Sequence, residues 1–341
     1  MQLPRNVCNV STERVALFQS PLSSVTIPRL RIVALLDGRP GHEKQTHGII
    51  QELRDVAEVE VREIAVTPGS PLDFLKQLIS LFLPGLGWSH PQVADADLLL
   101  GTGSRTHLPL LLYKKRYAIP VVTCMSPPIF LRRHFDLCFV PEHDGLKERD
   151  NIVNTTGAPN CSRNKGRHQG DCGLILLGGV DQKSHRWESK HIANMVRHIV
   201  EKETNIHWII SSSPRTPPET VELMQELAAA FTNARFFHFK ETQPGWIEGQ
   251  YDKSGVVWVT SDSISMVYEA LTAGCKVGII PMQWKKEHSK FKKNEDLLQK
   301  KGLVISFSSW QQGNANWRKN IELNEARRCA ERILQKWWPT N

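Results

Sequence analysis

The chain alternates short apolar, β-branched runs with stretches of helical periodicity, and it does so in two successive arrays. Strands that are separated by helices predict parallel sheets with crossover helices. The all-apolar centre of one run, Leu98-Leu99-Leu100, fits a strand that is covered on both faces. The predicted strands are residues 31–38, 59–66, 96–103, 120–127 and 135–142 in the first array, and residues 173–179, 206–213, 234–240, 255–262, 276–282 and 303–309 in the second.

A polar stretch divides the two arrays. Residues 160–171 contain almost no apolar side chains, which is typical of a linker. The length of 341 residues suits two domains of about 150 residues each. We therefore expect an α/β protein with two Rossmann-like, doubly wound domains that face a central cleft. The expected division is an N-terminal extension (1–28), an N-terminal Rossmann-like domain (29–160), a linker (161–172), a C-terminal Rossmann-like domain (173–322) and a last helix that packs across the junction (323–341).

The net charge is positive. Lys and Arg number 43 against 35 Asp and Glu, which gives +8. Such an excess suits an acidic partner, either a phosphorylated substrate or an anionic membrane surface, although an ordinary solvated basic surface explains it equally well. No zinc-finger, RNP or basic-helix pattern accompanies the charge, so we expect no nucleic-acid partner.

Cysteine usage and the N-terminus indicate the compartment. None of the seven cysteines forms a Cys-x-x-Cys pair, and several lie inside apolar runs, as in a reducing cytoplasm. The first residues lack the apolar core of a secretory signal, and no run reaches the roughly 18 apolar residues that span a bilayer. The expected location is cytoplasmic. Residues 71–88 are too apolar for a simple surface helix, and they form either a peripheral contact with the cytoplasmic membrane face or a core helix followed by a hydrophobic loop.

Polar residues follow the strands of the first array, where an open parallel sheet binds its ligands. A glycine-containing turn after the first strand places His42 at a helix start, where it can act as a general base, with Asp37 as the alternative base. Donors and Arg105 follow the third strand and suit an anionic group. A capped turn with a surface histidine and a Ser104 helix cap are the structural alternatives. The candidates are Asp37, Gly38, Arg39, Gly41, His42, Gly101, Gly103, Ser104, Arg105, Thr106 and Ser126.

The second array has a corresponding set. The stretch 259–274 ends a strand in hydroxyl donors at a helix N-terminus, which suits phosphate. Glu269 lies one to two turns into that helix and can accept two hydrogen bonds from a ribose diol; a capped helix with a surface glutamate is the alternative. This prediction requires that the turn near Asp262 between the strand and the helix, the elbow, faces the cleft. It also requires that the Glu269 carboxylate is free of an internal ion pair. The candidates are Gly178, Gly179, Ser212, Ser213, Arg215, Thr216, Thr260, Asp262, Ser263, Ser265, Met266 and Glu269.

No cofactor or metal site is expected. The pair Asp95 and Asp97 spells a metal-binding D-x-D, but it precedes its strand and so lies at the wrong end of the sheet. The 13 histidines contain no H-E-x-x-H pattern.

The segments DGRPGH, GTGSRT, CMSP, LGG, SSPRT and TSDSISMVYEA together resemble the mitochondrial-fission (elongated mitochondria) family, which is assigned to the GT-B glycosyltransferases and has many bacterial members. The resemblance covers about residues 30–310 and is to the bacterial type. It implies a GT-B-like fold. The family is similar to the peptidoglycan N-acetylglucosaminyltransferase that makes lipid II, in which a glycine-rich loop with a histidine faces the lipid acceptor and a glutamate holds the donor ribose. By that analogy Gly41 and His42 belong to the acceptor side, and the donor side contains Ser263, Ser265, Met266 and Glu269.

The resemblance implies transfer of a sugar from a nucleotide-sugar donor to a lipid-linked or cell-envelope acceptor without a metal ion. Backbone N–H groups and Arg215 would stabilise the departing diphosphate. Two other functions stay open at this point. One is a nucleotide-sugar epimerase of the same fold, and the other is a non-catalytic scaffold that recruits partners to a membrane, as the family's name implies.

Overall fold

The computed structural model describes residues 29–83, 88–286, 289–317 and 322–339. The expected extension 1–28 and part of the apolar run 71–88 therefore lie outside the described residues.

The first array folds into a six-stranded sheet in which every pairing is parallel. Its spatial order is β2-β1-β3-β4-β5-β6. The strands are β1 (Arg29–Leu36), β2 (Glu58–Ala65), β3 (Leu98–Thr102), β4 (Val121–Cys124), β5 (Leu137–Pro141) and β6 (Ile152–Thr155). The helices are α1 (Pro40–Arg54), α2 (Pro71–Phe82), α3 (Ser104–Tyr117) and α4 (Ile129–Arg132), with a 3-10 turn at Glu142–Asp144.

The second array repeats the arrangement. Its six-stranded sheet has the order β10-β9-β7-β11-β12-β14, again with parallel pairings. The strands of this half are β7 (Gln169–Leu176), β8 (His185–Arg186), β9 (His207–Ser211), β10 (Ala234–Phe237), β11 (Ser254–Thr260), β12 (Lys276–Ile280), β13 (Gln283–Trp284) and β14 (Val304–Ser306). The helices are α5 (Ser189–Lys202), α6 (Pro218–Ala230), α7 (Trp246–Lys253), α8 (Ile264–Thr272), α9 (Lys290–Lys300), α10 (Phe307–Gln311) and α11 (Glu325–Trp337), with a 3-10 turn at Phe239–Glu241. The short strands β8 and β13 form a separate antiparallel pair.

Each sheet is buried on both faces, because two apolar clusters pack against it, one on either side. This burial explains the fully apolar strand centres. Helix α11 leaves the second half and packs on α1, where Cys329, Ala330 and Ile333 join the core of the first sheet.

Most strand boundaries differ from the sequence-based expectation by one to four residues, and two of these differences have a clear local cause. Strand β7 begins at Gln169, inside the stretch expected to be a linker. Its first residues pair with β11, but they are polar and exposed, so no apolar period predicts them as a strand. The strand expected at 303–309 stops at Ser306, whose side chain accepts a hydrogen bond from Ser309 N at 3.2 Å and so starts α10.

The strand order fixes where a ligand can bind. In both sheets the direction of winding reverses beside the first strand, between β1 and β3 and between β7 and β11. A crevice opens at the carboxyl ends of the strands at such a switch point. The loops after these four strands, together with the helices that follow them, contain most of the candidate residues.

Several side chains join the two halves around this crevice. Lys44 of α1 contacts Glu269 of α8, and Asn160 Nδ2 donates to Thr272 Oγ1 at 3.0 Å. On another part of the junction Lys301 Nζ lies 2.7 Å from Glu142 Oε1. Helices α1 and α8 therefore face each other across the junction. Among the described residues, no helix is long and apolar enough to cross a bilayer.

Candidate functional site

Asp37 and His42 form a hydrogen-bonded pair at the carboxyl end of β1. His42 Nδ1 lies 2.9 Å from Asp37 Oδ2, and the Asp37 side chain is fully buried while that of His42 is 16% exposed. Asp37 Oδ1 accepts from Arg39 N, and Gly38 adopts a positive φ of 76° that completes the turn. In the described part of the chain His42 Nε2 has no hydrogen-bond partner. A carboxylate that holds Nδ1 leaves Nε2 as the basic nitrogen, as in catalytic histidines.

Gly103 makes room for this pair. It has a φ of 94°, and a Cβ atom at this position would lie 2.3 Å from His42 Nδ1. Arg105, two residues on, donates from Nη1 to the carbonyl of Asp37 at 3.3 Å. The backbone N–H groups of Ser104 and Arg105, at the start of α3, have no hydrogen-bond partner within the described ranges. The turn after β3 thus both packs against His42 and offers donors to the crevice.

Three other candidates of the first half, Gly101, Thr106 and Ser126, make contacts inside the fold, which differs from their expected role as ligand donors. Gly101 is buried inside β3, and Thr106 donates its hydroxyl to Gly103 O. The Ser126 hydroxyl accepts a hydrogen bond from Arg132. Gly41 lies in the first turn of α1, and nothing lies within 4 Å of a Cβ atom placed there.

The glycine and hydroxyl residues of the second half form a closed hydrogen-bonded scaffold. Gly178 N donates to Thr260 Oγ1 at 2.7 Å and Gly179 N donates to Asp262 Oδ2 at 3.0 Å, so neither N–H is available to a diphosphate. The hydroxyls of Ser213 and Thr216 donate to Gly178 O. The expectation that these groups face a ligand is therefore corrected, since they shape the turn instead. The Ser212 hydroxyl is also internal and accepts from Phe239 N.

Arg215 and Asp262 form the ionic centre of this scaffold. Arg215 Nη2 lies 3.0 Å from Asp262 Oδ2, and Nη1 donates to Gly179 O. The Asp262 side chain is almost fully buried, whereas that of Arg215 is 44% exposed. Asp262 Oδ1 is buried without a partner among the described residues. One side of the Arg215 guanidinium thus neutralises the buried Asp262 carboxylate, and the rest of the Arg215 side chain is exposed to solvent at the crevice.

The start of α8 offers unpaired donors. Its N-cap residue Ser263 makes no side-chain cap hydrogen bond. Within the described ranges, the backbone N–H groups of Ile264, Ser265 and Met266 also lack partners, and Ser265 is exposed. The N-terminus of an α-helix carries a positive partial charge and unpaired N–H groups that bind phosphate. This is the clearest anion site among the candidates.

The sequence-based prediction required a free Glu269 carboxylate, but in the structure this carboxylate is paired. Lys44 Nζ lies 3.2 Å from both of its oxygens and 3.5 Å from Glu248 Oε1. Burial raises the pKa of Glu269, and the charge of Lys44 opposes that shift. For Lys44, burial acts to lower the pKa, but the charges of Glu269 and Glu248 outweigh burial, so the pKa of Lys44 is raised overall. Because the pair spans the two halves, the elbow does face the junction, but its carboxylate is occupied.

A cavity of about 790 Å³ lies between α2, α3 and the loop after β2. Ser104 and Arg105, at the start of α3, are among the residues that line it, whereas Asp37 and His42 are not. The helix α2 has no fully buried residue: Leu78 and Leu81 pack partly buried against the core, and its five other large apolar side chains are 48–67% exposed. Those on one stripe are Leu72, Leu75, Ile79 and Phe82.

Two residues near the site carried no recognisable sequence signal. Lys44 lies within the first loop and helix, but its partner Glu269 is 225 residues away. His107 of α3 is buried, and neither ring nitrogen has a partner in the described structure. Burial and the nearby His42 lower the pKa of His107 to about 4.

Acidic residues offer no evident metal site. Among the described residues, no group of three or more His, Cys, Asp or Glu side chains is placed to hold a metal ion. Asp97 precedes β3 and pairs with Arg31 at 2.9 Å, and Asp95 pairs with Arg62.

Comparison with protein families identifies the chain. The family model described as Mitochondrial fission ELM1 matches residues 40–337. The chain belongs to this family. The match includes helix α1 with His42, the α8 elbow and helix α11, so the family's sequence pattern extends over both halves. No curated protein sequence matches the chain.

Solved structures resemble this family member over most of its length at low sequence identity. The UDP-GlcNAc 2-epimerase from Neisseria meningitidis bound to UDP-GlcNAc is 14% identical, with 90% of this chain and 100% of that chain covered and a TM-score of 0.51. The glycosyltransferase SnogD from Streptomyces nogalater is 13% identical, with 90% and 96% covered and a TM-score of 0.46. The fold is GT-B-like, with two Rossmann-like domains around a cleft.

Proposed function

We propose that the protein transfers a sugar from a nucleotide-sugar donor to a lipid-linked or cell-envelope acceptor at the crevice between the two sheets. One observation carries this proposal. Helix α1, with His42 in its first turn, and helix α8, which starts with unpaired phosphate-binding donors, face each other, and the Lys44–Glu269 contact joins them. A base and an anion site on opposite walls of one crevice are what transfer between two bound substrates needs.

The donor diphosphate binds at the start of α8 in this proposal. The N–H groups of Ile264, Ser265 and Met266 and the hydroxyls of Ser263 and Ser265 are its hydrogen-bond donors. The exposed part of Arg215 adds positive charge, although Asp262 compensates much of it. These groups stabilise the negative charge that develops on the departing diphosphate. Glu269 holds the ribose diol after exchanging Lys44 for the two hydroxyls.

His42 is the base in this proposal and Asp37 positions it. The buried Asp37 carboxylate accepts a hydrogen bond from the Nδ1–H group and so leaves Nε2 free to take the proton of the acceptor hydroxyl. The acceptor oxygen then forms the new bond to the anomeric carbon, while the bond from that carbon to the diphosphate oxygen breaks. Because Asp37 is fully buried, it does not reach an acceptor itself.

The acceptor binds in the cavity between α2 and α3 in this proposal. Arg105 at its inner end suits a phosphate group, and Lys76 adds a second cation. The exposed stripe of α2 then lies in the membrane interface and receives the apolar tail of a lipid-linked acceptor. Large exposed apolar patches on soluble proteins commonly mark such contacts.

A panel of nucleotides and nucleotide-sugars tests the donor half of the proposal by thermal shift. A ligand at about 100 times its Kd adds about 2.7 kcal/mol of stability. We expect stabilisation of the wild type and its loss in Glu269→Ala. Glu142→Ala is the matched control, since it removes the carboxylate of another ion pair across the junction and should keep binding.

Product analysis then separates the possible activities. Radiolabelled sugar that moves into a lipid extract supports a transferase. Conversion of the nucleotide-sugar to an epimer without any acceptor would replace the transferase by an epimerase. A protein that binds no nucleotide in the panel, and recruits partners to vesicles equally well with and without Glu269, would be a scaffold.

A further inference from the structure

Lys44 extends from the first half of the protein into the donor side of the crevice. Its Nζ atom is equally distant, at 3.2 Å, from the two oxygens of Glu269. It therefore lies in the fork of the carboxylate. A ribose diol that donates one hydroxyl to each oxygen needs the same position, so the ammonium and the diol compete for it.

The displaced ammonium has few places to go. Its backbone is fixed in α1, where the Lys44 carbonyl also accepts a hydrogen bond from Cys161. Among the residues that the structure describes, the other anion that Lys44 contacts is Glu248, at 3.5 Å and half-buried. A bound nucleoside diphosphate adds another, because its first phosphate is attached to the same ribose. Glu269 lies five residues after the first residue of α8, or about 8 Å along the helix axis, so the phosphate at the helix start is within the sweep of a lysine side chain.

We propose that Lys44 is a donor-binding residue supplied by the opposite domain: it holds Glu269 in the empty site and pairs with the donor's diphosphate once the ribose diol occupies the carboxylate. This inference rests on the proposed function, because it requires a nucleoside diphosphate at α8. The exchange has a structural consequence. The contact between α1 and α8 then depends on the bound donor. Because His42 lies two residues before Lys44 in α1, the same contact positions this base beside the occupied donor site.

The test compares diphosphates with nucleosides. Isothermal titration measures UDP, GDP and ADP, each beside its parent nucleoside, on the wild type and on Lys44→Met. For the nucleotide that the wild type binds, we expect Lys44→Met to weaken the diphosphate by about 10-fold or more, as for one charge-assisted hydrogen bond. Binding of the parent nucleoside should stay equal or become tighter, because Glu269 is released. Lys44→Arg keeps the charge and should restore most of the diphosphate affinity.

Lys301→Met is the matched control. It removes another lysine that spans the junction, with a similar exposed fraction of 32% against 37%. We expect it to leave the ratio of diphosphate to nucleoside affinity unchanged. Lys44→Gln replaces Lys44→Met if the latter does not fold, as judged by circular dichroism.

The outcomes separate this inference from the proposed function. If the wild type binds none of the three diphosphates, both this inference and the proposed function are wrong. A wild type that binds one of them, with Lys44 variants that weaken the diphosphate and nucleoside equally or strengthen both, would overturn this inference alone and leave Lys44 as a competitor of the donor.

Discussion

Replacing Gly103 by alanine tests whether the His42–Asp37 pair performs the chemistry. The new Cβ would lie 2.3 Å from His42 Nδ1 and 3.1 Å from Asp37 Oδ2. The imidazole must retreat by about 1 Å to regain ordinary van der Waals distance. The present 2.9 Å hydrogen bond to Asp37 does not survive such a movement.

The expected effect has two parts. Backbone at φ 94° and ψ 160° is open to glycine alone, so the alanine costs about 1–3 kcal/mol of stability. Misplacement of a catalytic group by about 1 Å lowers turnover by about 100-fold. Urea denaturation measures the first effect, and consumption of the nucleotide-sugar in the presence of acceptor measures the second.

Gly145→Ala separates strain from chemistry. Gly145 also has a positive φ, 71°, but nothing lies within 4 Å of its would-be Cβ. We expect it to lose about 1–2 kcal/mol of stability and to keep its turnover. A Gly103→Ala protein that turns over as fast as Gly145→Ala would refute the role of His42.

Three other expectations concern pH, metal removal and the membrane. Burial and the nearby His42 place the pKa of folded His107 at about 4, below the unfolded value near 6.5, so between these values only the unfolded chain takes up the proton. In urea titrations the free energy of unfolding should therefore fall by about 3 kcal/mol from pH 7 to pH 4, and by less in His107→Leu. Nucleotide-sugar turnover should persist in EDTA, and a loss that Mg²⁺ or Mn²⁺ reverses would contradict metal-independent transfer. The double change Leu75→Asp with Ile79→Asp should lower flotation with anionic vesicles by about 10-fold, whereas Val56→Asp, an equally exposed apolar position, should not.

Much of the fold follows from local sequence. The strands β3, β4, β5, β9 and β12 lie within the expected runs, and β1 and β11 begin one or two residues before theirs, because a doubly covered parallel strand must be apolar throughout. The short strand β6 and the two-residue strands β8 and β13 were not expected, since so few residues show no period. Helix α7 was also missed, and its sequence WIEGQYDK contains a central glycine and one buried residue, Tyr251.

The candidate site was predictable only where its contacts are local. His42 and Asp37 are five residues apart, and a turn between strand and helix brings them together. The hydroxyls and glycines of the second half are indeed grouped, but their partners lie 35 to 83 residues away, so the sequence did not reveal that they bind one another. The ion pair of Glu269 joins two helices of different halves and has no local signature.

The most direct measurement of the central claim is a crystal structure with the nucleoside diphosphate that stabilises the protein most. We predict that its phosphates accept hydrogen bonds from the N–H groups of Ile264, Ser265 and Met266, and that Glu269 contacts the ribose in place of Lys44. A nucleotide bound away from the start of α8, with the Lys44–Glu269 pair unchanged, would contradict the account.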